Sequence, residues 1–201
     1  VKWTHSEHFI RPDVWYNSFD GLQVGVHANG NYFGLDDVYS ANVWLNTGVG
    51  QQNIDSEIKN KFNIIGCSLS VKKSLKRIWS QLSSYANFTS NAGLNKGGLG
   101  LEKYFRKQDA RNPNYLRINI SHDVMYRDAI DAVYLINPND WSVNKLNNTV
   151  NLGIEKTYSY TKGTGKINFD VRTPGIKSDF NYSYLQLSAV NNNEIKKMRE
   201  E

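Results

Sequence analysis

The sequence lacks a second cysteine and a long hydrophobic run, and each absence excludes a class of protein. Its single cysteine, Cys67, rules out a disulfide within the chain and leaves the redox compartment open. No apolar stretch approaches the roughly 18 residues that a membrane helix needs, so insertion through helices is excluded. Cys67 belongs to the alternating apolar set Ile65, Cys67, Leu69 and Val71, which indicates a buried or lipid-facing filler rather than a nucleophile.

The motifs that would indicate catalysis are also missing. The sequence contains no Gly-rich phosphate loop, serine elbow or Cys-x-x-Cys pair. His5 and His8 lack both the glutamate and the spacing of the zinc-peptidase motif. His122 and Asp123 are adjacent, so on a strand they point to opposite faces and cannot form a relay. We therefore expect no catalytic residue, cofactor or metal site here. Whether the protein is an enzyme stays open, because a catalytic domain could lie outside this sequence.

The composition is typical of a folded chain whose apolar residues occupy every second place. Hydrophobic residues make up 39% and aromatic residues 12%, with twelve tyrosines and five tryptophans. A disordered chain would be poor in aromatics. The low mean hydropathy of -0.58 is compatible with a barrel wall, in which outward apolar residues alternate with inward polar ones.

The net charge of +5 is mild, and the basic residues are densest at Lys72, Lys73, Lys76 and Arg77. These residues lie between two strand-like runs, so we expect a solvated turn. The alternative is a site for anionic headgroups or lipopolysaccharide phosphates. A nucleic-acid partner is not expected, because such a protein concentrates its basic residues in a larger patch.

Alternation with a period of two is the main structural signal, and it is clearest in residues 148–190. Apolar and polar residues alternate over 150–160 and again over 167–172, with Lys162-Gly163-Thr164-Gly165 between the two runs. Pro174-Gly175 precedes a third run from Phe180. This pattern predicts antiparallel strands joined by hairpins. Further up the chain, Gly97-Gly98 is expected to separate a strand over 81–95 from the next, and another run is expected to reach Ile136.

The predicted strands are unusually long. They contain about ten residues, whereas about five or six is the common length, and about ten tilted residues cross a bilayer. Tyrosines near the strand tips are typical of an aromatic girdle. We therefore predict an all-β fold: an antiparallel transmembrane β-barrel of about eight to ten strands, complete or part of a larger barrel.

The alternation divides the strand residues into two sets. The candidate lipid-facing residues are Leu22, Val24, Val26, Val43, Leu45, Ile118, Ile120, Leu152, Ile154, Ile167 and Phe169. The candidate lumen-lining residues are Arg117, Asn119, Asp123, Glu155, Asp170 and Arg172. Because the second set contains both charge signs, we expect its members to pair and stiffen the wall. A selectivity lining for a pore is the alternative.

The domain organisation follows from the same pattern. Residues 1–16 are expected to form an aromatic-rich approach segment, and 17–190 the barrel wall. Residues 191–201 are a charged tail or the start of a further segment. Since a barrel would not obviously end in such a tail, we expect this sequence to be a fragment.

A short segment carries a family likeness. Residues 15–25 read Trp-Tyr-Asn-Ser-Phe-Asp-Gly-Leu-Gln-Val-Gly, in which Asn17, Gly21, Leu22 and Gly25 match a conserved pattern at the start of a barrel. The segment resembles BamA-like surface-antigen proteins of Gram-negative outer membranes, with Ser18 in place of arginine and Asp20 in place of glutamate. Residues 148–190 resemble successive wall strands of that architecture. Similar barrels form the C-terminal part of some gluzincin-type metallopeptidase chains. The resemblance implies an outer-membrane wall and does not imply insertase activity.

These observations favour an outer-membrane β-barrel of a Gram-negative bacterium, with an anchoring or transport role. Its expected partners are outer-membrane lipid, lipopolysaccharide and other envelope proteins. Two alternatives stay open: a soluble β-barrel or sandwich that binds a small ligand or glycan, and the membrane barrel of a larger metallopeptidase chain.

Overall fold

The chain forms one antiparallel β-sheet. The computed structural model describes residues 6–18, 21–32, 36–51, 65–91, 93–106, 114–128 and 144–193. Within these ranges the chain is all-β, and the predicted antiparallel fold is confirmed. The ten strands are β1 (Glu7–Asn17), β2 (Gly21–Tyr32), β3 (Asp36–Asn46), β4 (Ile65–Ser74), β5 (Leu82–Asn91), β6 (Leu94–Arg106), β7 (Tyr115–Arg127), β8 (Leu146–Tyr160), β9 (Gly163–Pro174) and β10 (Tyr184–Asn193). The described part of the chain contains no helix able to cross a membrane.

Each strand pairs with the strand that follows it in the sequence, so the order across the sheet is β1 to β10. Among the described residues no pairing joins β1 to β10, and a closed barrel is therefore not observed. The connections alternate between two ends of the sheet. The short-turn end has the connections 33–35, 75–81, 107–114 and 161–162. The long-loop end has the connections 18–20, 47–64, 92–93, 128–145 and 175–183.

The register gives the sheet an apolar face and a polar face. Directly opposed residues of neighbouring strands lie on the same face. Val24 pairs with Leu45 and Leu45 with Ile65, which extends the apolar face from β2 to β4. The same face continues across the later strands, where Ile120 pairs with Leu152.

Burial on these faces is the reverse of that in a water-soluble domain. No hydrophobic residue in the described ranges is buried, and on the apolar face Leu99 is 63% and Ile120 50% exposed. The buried side chains are polar, with Gln23 at 3% and Glu102 at 6%. Both lie on the polar face, where Gln23 donates a hydrogen bond to the Asn46 side chain. In the described residues, side chains such as Gln23 and Glu102 on the polar face are therefore shielded, while the apolar face is exposed.

The strand boundaries differ from the predicted ones at several places. The glycines Gly97 and Gly98 do not form a turn, because they lie inside β6 and pair with Phe88 and Asn87. The turn forms instead around Gly93, whose φ of 69° is in the left-handed region that favours glycine. Strand β1 lies largely within the proposed approach segment 1–16, and β10 extends beyond residue 190. The run predicted to reach Ile136 and the residues 194–201 lie outside the described residues.

Candidate functional site

The predicted lumen-lining residues come together on the polar face of β7, β8 and β9. Arg117 pairs with Glu155, and the row continues to Asn168 on β9. An open pocket of about 380 Å³ lies over this region. All six predicted residues line it, namely Arg117, Asn119, Asp123, Glu155, Asp170 and Arg172. The pattern of alternation was sufficient to find them, since they occupy every second position of strands that prove to be neighbours.

A chain of alternating charges crosses the sheet on this face, and we name it the charge ladder: Lys72, Glu102, Arg117, Glu155 and Lys166. Lys72 forms an ion pair with Glu102, and Arg117 Nε lies 3.3 Å from the other Glu102 oxygen. On the far side, Arg117 Nη1 lies 3.9 Å and Lys166 Nζ 2.6 Å from Glu155 Oε2.

The ladder is well shielded at its two carboxylates. The side chains of Glu102 and Glu155 are only 7% and 16% exposed, whereas Lys72 and Lys166 are 47% and 44% exposed. Glu155 also accepts a hydrogen bond from the Tyr115 hydroxyl. A carboxylate removed from water is costly unless it is paired. Each glutamate here has two cationic neighbours, so the ladder joins β4 to β9 with its charges compensated.

A second polar cluster lies in the same pocket, nearer the long-loop end. The Asn151 amide donates to Asp123 Oδ2 at 2.6 Å, and Arg172 Nε donates to Asn151 Oδ1 at 2.5 Å. The amide therefore links an anion on β7 to a cation on β9. Asp170 lies two residues before Arg172 on the same face of β9, opposite Gly153, and within the described residues no hydrogen bond or ion pair is seen at its carboxylate. The pocket thus holds a carboxylate that remains available to a cation or to water.

Tyrosine rings flank both arginines of the pocket. The Arg117 guanidinium lies 6.0 Å from the centre of the Tyr104 ring, and that of Arg172 lies 5.2 Å from the Tyr184 ring. Such cation–π contacts restrict the arginine side chains. In the β9–β10 connection, a hydrogen bond from the Asn147 amide holds the pKa of the Tyr182 phenol below its usual value.

On the first strands of the sheet, the polar face carries two tryptophans, Trp15 on β1 and Trp44 on β3. Trp44 packs edge-on against Trp15, with ring centres 6.0 Å apart. Its indole covers Gly66, the directly opposed residue on β4, and a side chain at Gly66 would collide with it. Tyr85 covers Gly100 in the same way between β5 and β6. A large ring over a glycine excludes water from a backbone that has no side chain of its own.

The predicted lipid-facing residues all lie on the apolar face. The register joins Val26 to Val43, and Ile118 to Ile154 and then to Phe169. His122 lies on this face as well, opposite Leu99 and Val150. The native thiol Cys67 pairs with Val43 and is half-buried, on the same face.

Several residues of the ladder were missing from the sequence prediction. Lys72 was grouped with the turn lysines, whereas it lies on the polar face in register with Tyr85 and forms an ion pair with Glu102 on β6. Glu102 and Lys166 were not proposed at all. The alternation of each strand does contain this information, since Glu102 and Lys166 each occupy a polar-face position of their strand. The partners could not be read, because they depend on the register of neighbouring strands.

Chemically, this site can bind water and ions or stiffen the sheet. In the described ranges, no group of three or more histidine, cysteine or acidic side chains is arranged to hold a metal ion. The polar face therefore offers paired charges, amides and one open carboxylate, which are groups typical of a hydrated lining. No protein-family model, curated protein or solved structure matches this chain.

Proposed function

We propose that this chain forms the wall of a transmembrane β-barrel in the outer membrane of a Gram-negative bacterium, with an anchoring or transport role. The observation that carries the proposal is the reversed burial of the two faces. Leucine, isoleucine and valine side chains are exposed across the apolar face, while Gln23 and Glu102 are buried on the polar face. The likeness of residues 15–25 to BamA-like barrels supports the same reading.

The physical argument rests on what can cover such an apolar face. A soluble monomer rarely exposes a contiguous apolar patch larger than a few hundred square ångströms. Here most of the exposed aliphatic residues of the strands lie on one face, although Phe9 and Val190 lie on the other, and hydrocarbon would cover such a face. In a soluble barrel or sandwich the apolar face would be the enclosed one. The burial pattern therefore disfavours that alternative.

Strand length agrees with a membrane-spanning wall. The strands contain between 10 and 15 residues, as in β5 and β8. A tilted strand of about 9–11 residues crosses the hydrocarbon core. In that environment the outer edges of β1 and β10 must also find partners, because an unpaired backbone edge is not tolerated in lipid. Pairing of these two strands with each other, or with further strands, meets this requirement.

The charges of the polar face favour a stiff, hydrated lining over a strongly selective pore. The charge ladder alternates in sign, and in the second cluster Asn151 links the opposite charges of Asp123 and Arg172 by hydrogen bonds. A lining whose charges pair presents little net potential to a passing ion. We therefore place anchoring or passive permeation before ion-selective transport.

Heat-modifiable migration is the test. The protein is extracted from membranes with detergent, and unheated and boiled samples are compared by electrophoresis and circular dichroism. We expect a shift on boiling and a β-type spectrum before boiling. Recovery of the folded protein in the aqueous fraction without detergent would overturn the proposal, and the apolar face would then have to be covered by protein.

A further inference from the structure

The β4–β5 connection, residues 75–81, presents basic and apolar side chains together at the short-turn end. Ile78 is 77% exposed and Trp79 56% exposed. Lys76 and Arg77 directly precede them and are exposed as well. Lys73, the last apolar-face residue of β4, adds a further exposed cation. The group of Lys73, Lys76, Arg77, Ile78 and Trp79 is called the interfacial turn below.

Backbone hydrogen bonds hold the interfacial turn in one shape. The amides of Ile78 and Trp79 both donate to the Leu75 carbonyl, at 2.9 and 3.1 Å. The Leu75 amide donates to the Leu82 carbonyl at 2.8 Å, which closes the turn against β5. An ordered segment therefore presents the exposed side chains, and the backbone of the turn loses little further conformational entropy when a ligand binds.

Trp79 is oriented by β6. Its ring meets that of Phe105 at 89°, with centres 6.2 Å apart. Lys103 Nζ lies 4.4 Å from the Trp79 ring centre and donates to the Ser80 carbonyl. The Lys103 charge is thus held against the turn, whereas the side chains of Lys76 and Arg77 are exposed. Lys72 also turns away, toward Glu102 on the polar face.

We propose that the interfacial turn binds the headgroup phosphates of anionic glycerophospholipids, with Trp79 and Ile78 inserted beside the headgroups. This inference rests on the proposed function, because it needs the apolar face to be in a bilayer. Tryptophan is enriched at the membrane interface, and lysine and arginine near an anionic surface each increase the affinity about fivefold. The charge of the turn is therefore complementary to phosphate.

The position of the turn selects the glycerophospholipid over lipopolysaccharide. Short turns of outer-membrane barrels face the periplasm, whereas the longer loops are extracellular. Residues 75–81 belong to the short-turn end, and connections 47–64 and 128–145 to the other end. The leaflet nearest the turn is then the periplasmic one, in which glycerophospholipids supply the phosphates.

The experiment measures quenching of Trp79 fluorescence by brominated lipids. The full chain is inserted into phosphatidylcholine vesicles that contain increasing fractions of brominated phosphatidylglycerol or, separately, brominated phosphatidylcholine. The Trp79 signal is the difference between the wild type and Trp79→Phe. We expect half-maximal quenching at a lower fraction of the brominated phosphatidylglycerol than of the phosphatidylcholine. Replacing Lys76 and Arg77 with glutamine should raise that fraction at least about fivefold.

The matched control is Lys145→Gln with Lys177→Gln, which removes the same charge from exposed positions at the long-loop end and should leave the Trp79 signal unchanged. A measurement on the wild type alone gives a second test, since the preference for phosphatidylglycerol should fade as salt rises from about 0.05 to 0.5 M.

Heat-modifiable migration of each sample first establishes insertion. An inserted protein with equal quenching by both lipids overturns the inference alone, and a preference for vesicles containing lipid A over phosphatidylglycerol overturns the choice of lipid. Failure to insert overturns the proposed function.

Discussion

An arginine placed on the apolar face distinguishes lipid from water as the environment of that face. Leu152 lies near the middle of β8 on the apolar face, pairs with Ile120 and Val171, and is 38% exposed. In water, arginine at such a partly exposed position changes the free energy of unfolding by about 0.5 kcal/mol or less. On a lipid face near the midplane it costs about 2–4 kcal/mol. That cost corresponds to about a 30-fold to 700-fold change in the unfolding equilibrium constant.

The same strand contains a natural reference for depth. Lys156 is on the apolar face of β8, about 13 Å from Leu152 at about 3.3 Å per residue. A native lysine there indicates the edge of the apolar band, so the cost of arginine should decrease from Leu152→Arg to Ile154→Arg. The control is Gln186→Arg on the polar face of β10, where the new charge faces Asp170 and should cost little.

The assay is urea unfolding of the protein in phosphatidylcholine vesicles, followed by tryptophan fluorescence. We expect Leu152→Arg to lose about 2–4 kcal/mol and Ile154→Arg to lose less. If both variants unfold within about 0.5 kcal/mol of the wild type, the apolar face does not contact hydrocarbon. The reasoning from reversed burial would then be refuted.

Three further variants probe the glycine contacts, the two faces and the ladder. Gly100→Ala should lower the free energy of unfolding by about 1–3 kcal/mol, because the added Cβ would collide with the Tyr85 ring and lie 2.8 Å from the Ile120 carbonyl oxygen. The control Gly97→Ala, whose added Cβ would have its nearest atoms at 3.7 and 3.8 Å, should be tolerated in the same unfolding assay. In vesicles, the native Cys67 should resist a charged, membrane-impermeant thiol reagent, whereas Cys67→Ser with Ser68→Cys, which moves the thiol to the polar face, should react; equal labelling of both would contradict the assignment of the faces. Glu155→Gln should lower the unfolding free energy by about 1.5–3 kcal/mol, because Arg117 and Lys166 lose the negative charge that they share. An unchanged value would mean that the ladder adds no stability.

Much of the fold could be predicted from alternation alone, and the failures have specific physical causes. An alternation with a period of two identifies which residues of a strand share a face. It assigned the predicted lumen-lining and lipid-facing residues to opposite faces of the sheet. It does not identify strand partners. Gly97-Gly98 looked like a turn because paired glycines usually mark one, whereas here Gly98 leaves room beside Asn87 and the Asp123 carboxylate. Likewise, no local pattern shows that Lys72 reaches Glu102, because that ion pair spans β5 and exists only in one register.

The order of the strands has a consequence for assembly and for evolution. Because each described strand pairs with its neighbours in the sequence, each new pairing closes one connection, and the entropy lost at each step is that of that connection. The sheet can therefore grow by one hairpin at a time, without a strand waiting for a distant partner. Loss or duplication of a hairpin would leave the remaining strands antiparallel, with the same residues on the polar and apolar faces. Such a wall can change its circumference in steps of two strands while its inner and outer surfaces keep their chemistry.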